Sequence, residues 1–337
     1  MTISTIVTVY NLEKFIEESL ESIFSQTRPA DEIIVVDDCS TDRSAEVLAK
    51  YSGKIKYVKM PVNSGVLMAF IRGIEEASGD ILTFLDGDDI WFPNKLEEVE
   101  KAFLEDDSRI LVTHDYECID GSGNPRPYTA DRTHFNTKHI TEQAKNPDEM
   151  NKLLRHSLLS LKGVWLGSAF SLRADCLDLT EFKELMMSLP DPGLSHQDQP
   201  IAAFVVLKNQ DKKVYFINKI LFKYRVFGFN SSGVSNDVKS ALRTVNRSKS
   251  TLLRTSHLVG QHPQLVEENK RQKLLMQNIL YLEKLYKKEY LSAFQDFCKL
   301  SADFWTWREK AKEFQRFVGV AALGPEKFLE LKSKKYK

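Results

Sequence analysis

Four short runs rich in β-branched and large apolar residues, at positions 3–9, 32–36, 55–58 and 81–85, alternate with segments whose apolar residues recur at helical spacing. Between the first two runs, Phe15, Ile16, Leu20, Ile23 and Phe24 fall on one face, and Pro29 marks the end of that helix. Ser40-Thr41-Asp42 supplies capping residues for a second helix, and a third is expected over 68–77. Strand, helix and strand repeated in this way predict a parallel sheet with crossover helices. Few other folds accommodate that order.

Two of the runs end in carboxylates. The second stops at Asp37-Asp38 and the fourth at Asp86-Gly87-Asp88-Asp89. Open α/β sheets bind ligands beyond the carboxyl ends of their strands. Two carboxylates one residue apart can converge on a hard cation such as Mg²⁺ or Mn²⁺, which in turn suits a diphosphate. A lone D-x-D is also a common solvated turn before a helix, so the motif acquires meaning only from its surroundings. No G-x-G-x-x-G follows the first strand, and no G-x-x-x-x-G-K-[ST] occurs. A nucleotide held here would be held by side-chain carboxylates.

Further along, the pattern predicts a helix over 94–104, a strand over 110–114 and a polar surface excursion over 120–147. One or two strands are expected within 158–173, where Gly167-Ser168 leaves room for close approach. Ser195-His196-Gln197-Asp198-Gln199-Pro200 opens a helix, and two strands follow at 213–217 and 221–226. From about Val238 the strand signal vanishes. Leu274, Leu275, Ile279, Leu282, Leu285 and Tyr286 form one apolar face, continued by Phe294, Phe297, Leu300, Phe304, Trp305, Phe314, Phe317 and Val318.

The domain reading is therefore an α/β domain over 1–237, with halves at 1–115 and 116–237, and a helical region over 238–337. The helical region reads as a bundle against the first domain, as a homodimer interface, or as a peripheral lipid contact through its Phe and Trp groups beside Lys310, Lys312 and Arg316. Formal net charge is zero, from 47 basic and 47 acidic residues, so nothing global draws the chain to nucleic acid or to acidic lipid, and only local patches could do so. Cys39, Cys118, Cys176 and Cys298 are scattered and fit neither a disulfide framework nor a zinc site. With no basic leader segment and no apolar window near the ~20 residues of a membrane span, a soluble cytoplasmic protein is expected, with the inner face of the membrane as its one alternative location.

The blocks Val7-Thr8-Val9-Tyr10-Asn11, Ile34-Val35-Val36-Asp37-Asp38-Cys39-Ser40-Thr41-Asp42, Asn63-Ser64-Gly65-Val66, Gly73-Ile74, Ala77-Ser78-Gly79-Asp80 and Phe84-Leu85-Asp86-Gly87-Asp88-Asp89 with Trp91, Pro93 and Lys95-Leu96 resemble, in order and spacing, the bacterial family 2 glycosyltransferases. The resemblance covers roughly the first hundred residues and thins towards 230. It implies a GT-A fold, a Rossmann-like mixed sheet flanked by helices, with a C-terminal all-helical extension added here. It also implies a nucleotide-sugar donor, UDP-linked by preference, a carbohydrate or lipid-linked acceptor, and Mn²⁺ or Mg²⁺ as cofactor.

On that resemblance, Val9, Tyr10 and Asn11 line the base pocket, Asp38 accepts from the base edge, and Asn63 and Gly65 let the backbone pass near the nucleotide. Asp86, Gly87 and Asp88 form the D-x-D element, with Asp88 the main metal ligand, Asp86 reaching ribose or metal, and Asp89 assisting. Asp198 matches the position of the family's catalytic base, where a helix N-terminus would favour its ionised form. One departure stands out. Members often carry Tyr-Arg-x-His-x-x-Asn after the last strand, whereas this chain has Tyr224-Arg225-Val226-Phe227-Gly228-Phe229-Asn230, which leaves Arg225 or Ser231-Ser232 to meet the diphosphate. Phe227 also keeps open a catalytically weak nucleotide-sugar-binding scaffold. An aspartyl-phosphate phosphatase is a remoter alternative, since that class places its motif at the first strand.

Overall fold

In the computed structural model, β1 (Ile3–Val9) is buried along its whole length, as a strand covered by helices on both faces must be. Its alternate residues, Ile3, Val7 and Val9, join one apolar core with Leu20 and Ile23 of α1 (Ile16–Phe24). Residues 1–126, 143–161, 166–227, 237–300 and 305–334 are described by the structure. They fall in two units, Met1–Arg225 and Val226–Lys337.

The first unit is built on one eight-stranded sheet. β2 (Glu32–Asp37), β3 (Lys56–Lys59) and β4 (Ile81–Asp86) run parallel to β1, linked through α1, α2 (Ser44–Ala49) and α3 (Val66–Glu75). With β5 (Ile90–Trp91), β6 (Arg109–Ile119), β7 (Ser171–Arg173) and β8 (Lys213–Arg225), the strand order is β3-β2-β1-β4-β7-β6-β8-β5. β7 is antiparallel to both β4 and β6, and β5 is antiparallel to β8. The succession leaves β1 towards β2 on one side and resumes with β4 on the other. That reversal is the topological switch point at which such sheets open a crevice for ligands.

Between β5 and β6 lies α4 (Lys95–Glu105), and α5 (Pro147–Leu159), α6 (Leu179–Ser188) and α7 (Asp198–Lys208) complete the unit. Several expectations are corrected. The two strands expected at 213–217 and 221–226 are one: exposed Asn218 and Lys219 interrupt the apolar pattern, but the ladder to β6 absorbs them as a bulge, pairing Ile217 with His114 and Ile220 with Asp115. Of the one or two strands expected within 158–173, one is present, the short β7, preceded by the end of α5 and a 3₁₀ turn over Gly167–Ala169, while 162–165 lie outside the described residues. Helix α6, capped by Asp178, was not anticipated. Of the polar excursion, 127–142 lie outside the described residues, as do Phe304 and the Ser231-Ser232 pair.

The second unit contains α8 (Val238–Gly260), α9 (Val266–Tyr286), α10 (Tyr290–Lys299), α11 (Trp307–Leu323) and α12 (Pro325–Lys334). Tyr281, Leu285, Phe297, Leu300, Trp305 and Val320 form its main core, as the helical periodicity requires. Thr306 and Glu309 cap α11 reciprocally.

Gly65 has a left-handed φ of +88°, and a Cβ there would stand 1.9 Å from the carbonyl oxygen of Gly193. Only glycine satisfies both constraints. Gly65→Ala is therefore expected to destabilise the first unit by about 2–4 kcal/mol, measured as a shift in the urea midpoint with unchanged m-value.

Candidate active site

Strand β1 is clamped at its end by both neighbours. Asp38 donates its backbone N–H to Val9 O (2.8 Å), and Gly87 donates to Thr8 O (3.0 Å). The carboxylates that terminate β2 and β4 thus lie on either side of the β1 terminus, at the carboxyl ends of the parallel strands.

On the β2 side, Asp38 is almost fully buried, and its two oxygens accept the backbone N–H groups of Ser64 (2.7 Å) and Gly65 (2.8 Å). Burial nevertheless raises its pKa. Asn63 reinforces this contact, donating its side-chain amide to Asp38 O (3.2 Å). Asp38 therefore anchors the 63–65 loop, and the expected hydrogen bond to a base edge falls to lone pairs those amides leave over. Asn11 has a left-handed φ of 54°, and its Oδ1 accepts from Thr41 N–H (2.8 Å), joining two loops at these strand ends. Val9 is buried, whereas Tyr10 is 46% exposed beside it.

On the β4 side, Asp86 accepts from Thr8 Oγ1 (3.2 Å) and from the side-chain amide of Gln197 (3.1 Å). Asp86 and Asp88 keep partial solvent access. Desolvation, then the charge of Asp198, raises the pKa of Asp86 to about 7. Desolvation, then the charge of Asp86, does the same for Asp88. A site that crowds carboxylates this way favours a cation. Among the described residues no group of three or more His, Cys, Asp or Glu is arranged to hold a metal alone. Two carboxylates fit a Mg²⁺- or Mn²⁺-type ion that completes its shell with phosphate oxygens and water.

Asp89 departs from its expected assisting role. It is 1% exposed, with one oxygen accepting from Ser168 Oγ (2.6 Å) and the other from Arg225 N–H (2.9 Å). Burial, then the charges of Asp88 and Asp86, pushes its pKa well up. Arg225, expected on a diphosphate, is also buried within the protein. Its guanidinium donates to Asp88 O (2.8 Å) and pairs with Glu18 (2.6 Å), over the ring of Phe15. It fixes the backbone of the D-x-D turn from behind.

Asp198 stands at the first position of α7. Its Oδ2 accepts from Gly167 N–H (3.1 Å), and its buried Oδ1 has no hydrogen-bond partner among the described residues. The helix N-terminus was expected to favour the ion, but burial outweighs it and lifts the pKa to about 6. Above that pH Asp198 is an ionised acceptor with a lone-pair oxygen to spare. A Cβ on Gly167 would lie 3.0 Å from Gln197 Nε2, which accounts for the small residue there.

Two important residues were not singled out from sequence. Gln197 links the start of α7 to Asp86. Ser168 donates to Asp89, accepts Asp86 N–H (3.1 Å), and offers its carbonyl to Trp91 Nε1 (3.2 Å) and to Nζ of the buried Lys95 (2.5 Å). The only available signal was position: Ser168 beside a strand-breaking glycine, and Gln197 beside an acid at a helix start.

Residues 4–160 match the model of Glycosyl transferase family 2. This part of the chain belongs to glycosyl transferase family 2. The family 2 domain is 36% identical over 126 residues to an uncharacterized glycosyltransferase of Nostoc sp., a match covering 36% of this chain and 38% of that relative. It is 28% identical over 245 residues to the putative teichuronic acid biosynthesis glycosyltransferase TuaG of Bacillus subtilis, covering 72% and 85%. The chain thus spans well under half of one relative and most of the other. In fold it is similar to S. aureus TarS 1–349 solved with UDP-GlcNAc (TM-score 0.54, 18% identity, 100% and 93% covered). It is also similar to the mannosyltransferase PcManGT of Pyrobaculum calidifontis solved with GDP-Man and Mn²⁺ (TM-score 0.51, 15% identity, 98% and 83% covered). These likenesses place the first unit in the GT-A fold.

Removing the Ser168 hydroxyl would leave one oxygen of buried Asp89 and the Asp86 N–H without partners. Ser168→Ala is expected to cost about 1–3 kcal/mol, read as a lower thermal midpoint with unchanged far-UV circular dichroism.

Proposed function

We propose that the chain is a glycosyltransferase that moves a sugar from a nucleotide-diphosphate donor to an acceptor hydroxyl with inversion. The observation that carries this reading is the Gln197–Asp86 hydrogen bond, which ties the D-x-D turn to the helix start bearing Asp198. Donor-side and acceptor-side carboxylates are thereby parts of one arrangement. The family 2 membership of the domain and the donors bound in TarS and PcManGT support a nucleotide-sugar, with UDP-sugar favoured by the likeness to TarS.

In this reading Val9, Tyr10 and Asn11 border the nucleotide base, with Asp38 and Asn63 shaping the 63–65 loop beside it. Asp88 and Asp86 would hold a divalent cation, which when bound neutralises charge on the leaving diphosphate. Gly87, whose added Cβ would lie 2.9 Å from Thr8 O, keeps the turn tight. Arg225 positions Asp88 through its main chain and lowers the electrostatic cost of ionising it. Asp198 takes the proton of the acceptor hydroxyl as the acceptor oxygen bonds to the anomeric carbon. The bond from that carbon to the diphosphate oxygen breaks, and its electron pair leaves with the nucleotide. The likeness to TuaG, named for teichuronic acid biosynthesis, supports a carbohydrate or lipid-linked acceptor in cell-surface polysaccharide synthesis.

Asp198→Asn is expected to retain donor binding and lose transfer by about a hundredfold or more, while Asp88→Ala loses metal-dependent nucleotide release. Because Asp198 titrates near pH 6 and a nearby cation lowers that value, the rate should rise with pH through a limb centred at or below about pH 6. A transfer rate unchanged in Asp198→Asn removes Asp198 from the mechanism.

A further inference from the structure

The zero net charge conceals a division between the units. Val226–Lys337 carries 21 Lys and Arg against 11 Asp and Glu, a net of +10, whereas Met1–Arg225 carries 26 against 36, a net of −10. The second unit therefore has the electrostatics of a module that meets an anionic partner.

That same unit also leaves aromatic side chains exposed. On α11, Trp307 is 86% exposed and Phe314 and Val318 are 48% exposed, with exposed Ala311 completing a stripe at alternating spacings of four and three. Leu291 and Phe294 of α10 are also exposed, and the Phe294 ring lies 5.4 Å from that of Phe317, so the patch spans two helices. At roughly 100° per residue, Arg308 and Lys310 fall on opposite flanks of the stripe, while Glu309 and Glu313 fall on the far side. Glu309 is engaged in the α11 cap and Glu313 pairs with Arg316.

This distribution distinguishes between occupants. A second copy packed symmetrically on the stripe would bring the Arg308 and Lys310 flanks of two identical helices together, with their acids turned away. A soluble polyanion would use the charge and gain nothing from the exposed Trp and Phe groups. An interfacial contact uses both: apolar groups enter the headgroup boundary and flanking cations meet phosphates. Among the described residues, no helix is long and apolar enough to cross a membrane.

We propose that the C-terminal unit docks on an anionic lipid surface, with Trp307, Phe314, Val318, Leu291 and Phe294 in the interface and Arg308 and Lys310 on lipid phosphates. The test is flotation of the full chain with vesicles of phosphatidylcholine alone and of equimolar phosphatidylcholine and phosphatidylglycerol. Binding is expected to the anionic vesicles only and to fall at high salt. It should weaken about tenfold or more in the double variant Arg308→Gln with Lys310→Gln. Trp307→Ala with Phe314→Ser should weaken it too, with circular dichroism and thermal midpoint unchanged. Absence of anionic-vesicle binding, or binding unaffected by both pairs of substitutions, would overturn the proposal. So would a concentration-dependent dimer that Trp307→Ala with Phe314→Ser dissolves, which assigns the stripe to a second copy. Binding to inorganic polyphosphate without vesicle binding would overturn it as well.

Discussion

Asp89 is a carboxylate with almost no access to water, and its two oxygens determine where three distant segments meet. Ser168, from the turn before β7, holds one oxygen, and the main chain of Arg225, at the end of β8, holds the other. Its own N–H returns to Asp86 O (2.9 Å), and its carbonyl accepts from Ser19 Oγ of α1 (2.7 Å). A buried charge left without such partners is strongly destabilising. The D-x-D turn is thereby fixed on every side that faces the protein, and what remains less constrained is the pair Asp86 and Asp88. Asp89 thereby anchors the turn that carries Asp86 and Asp88.

The strain in this arrangement is electrostatic. Three neighbouring carboxylates and Asp198 all have raised pKa values, because burial and mutual repulsion act on each. A protein core gains nothing from such crowding, but a cation-binding site does, since a divalent ion relieves the repulsion that the fold imposes. Arg225 moderates Asp88 from behind without competing for its carboxylate, because the guanidinium is engaged by main-chain oxygens and by Glu18.

Much of the fold was legible because β1, β2 and β4 are buried on both faces, so they read as uninterrupted β-branched runs, and because α1 and α3 carry their apolar residues on one face. Where the pattern misled, tertiary context was the cause. Asn218 and Lys219 look like a turn but form a bulge that β6 tolerates. The candidate site residues Asp86, Asp88 and Asp198 were picked out by position alone, at or just beyond the end of a strand and at the start of a helix. What could not be read was direction. Nothing in Arg225 as a letter says that its guanidinium turns inward, or that the oxygens of Asp38 are engaged by the Ser64 and Gly65 amides. Such outcomes depend on which backbone groups arrive nearby, and a single sequence does not encode those separately from the fold.

The central claim is that the paired carboxylates at the end of β4 form the metal-assisted part of a nucleotide-sugar site. Its most direct measurement is calorimetric titration of the full chain with UDP-, GDP- and dTDP-sugars, with Mn²⁺ and again after chelation. Saturable one-site binding of at least one donor with Mn²⁺, weakened by chelation, is the predicted result. Failure of every donor to bind with the metal present, or binding indifferent to the metal, would contradict it.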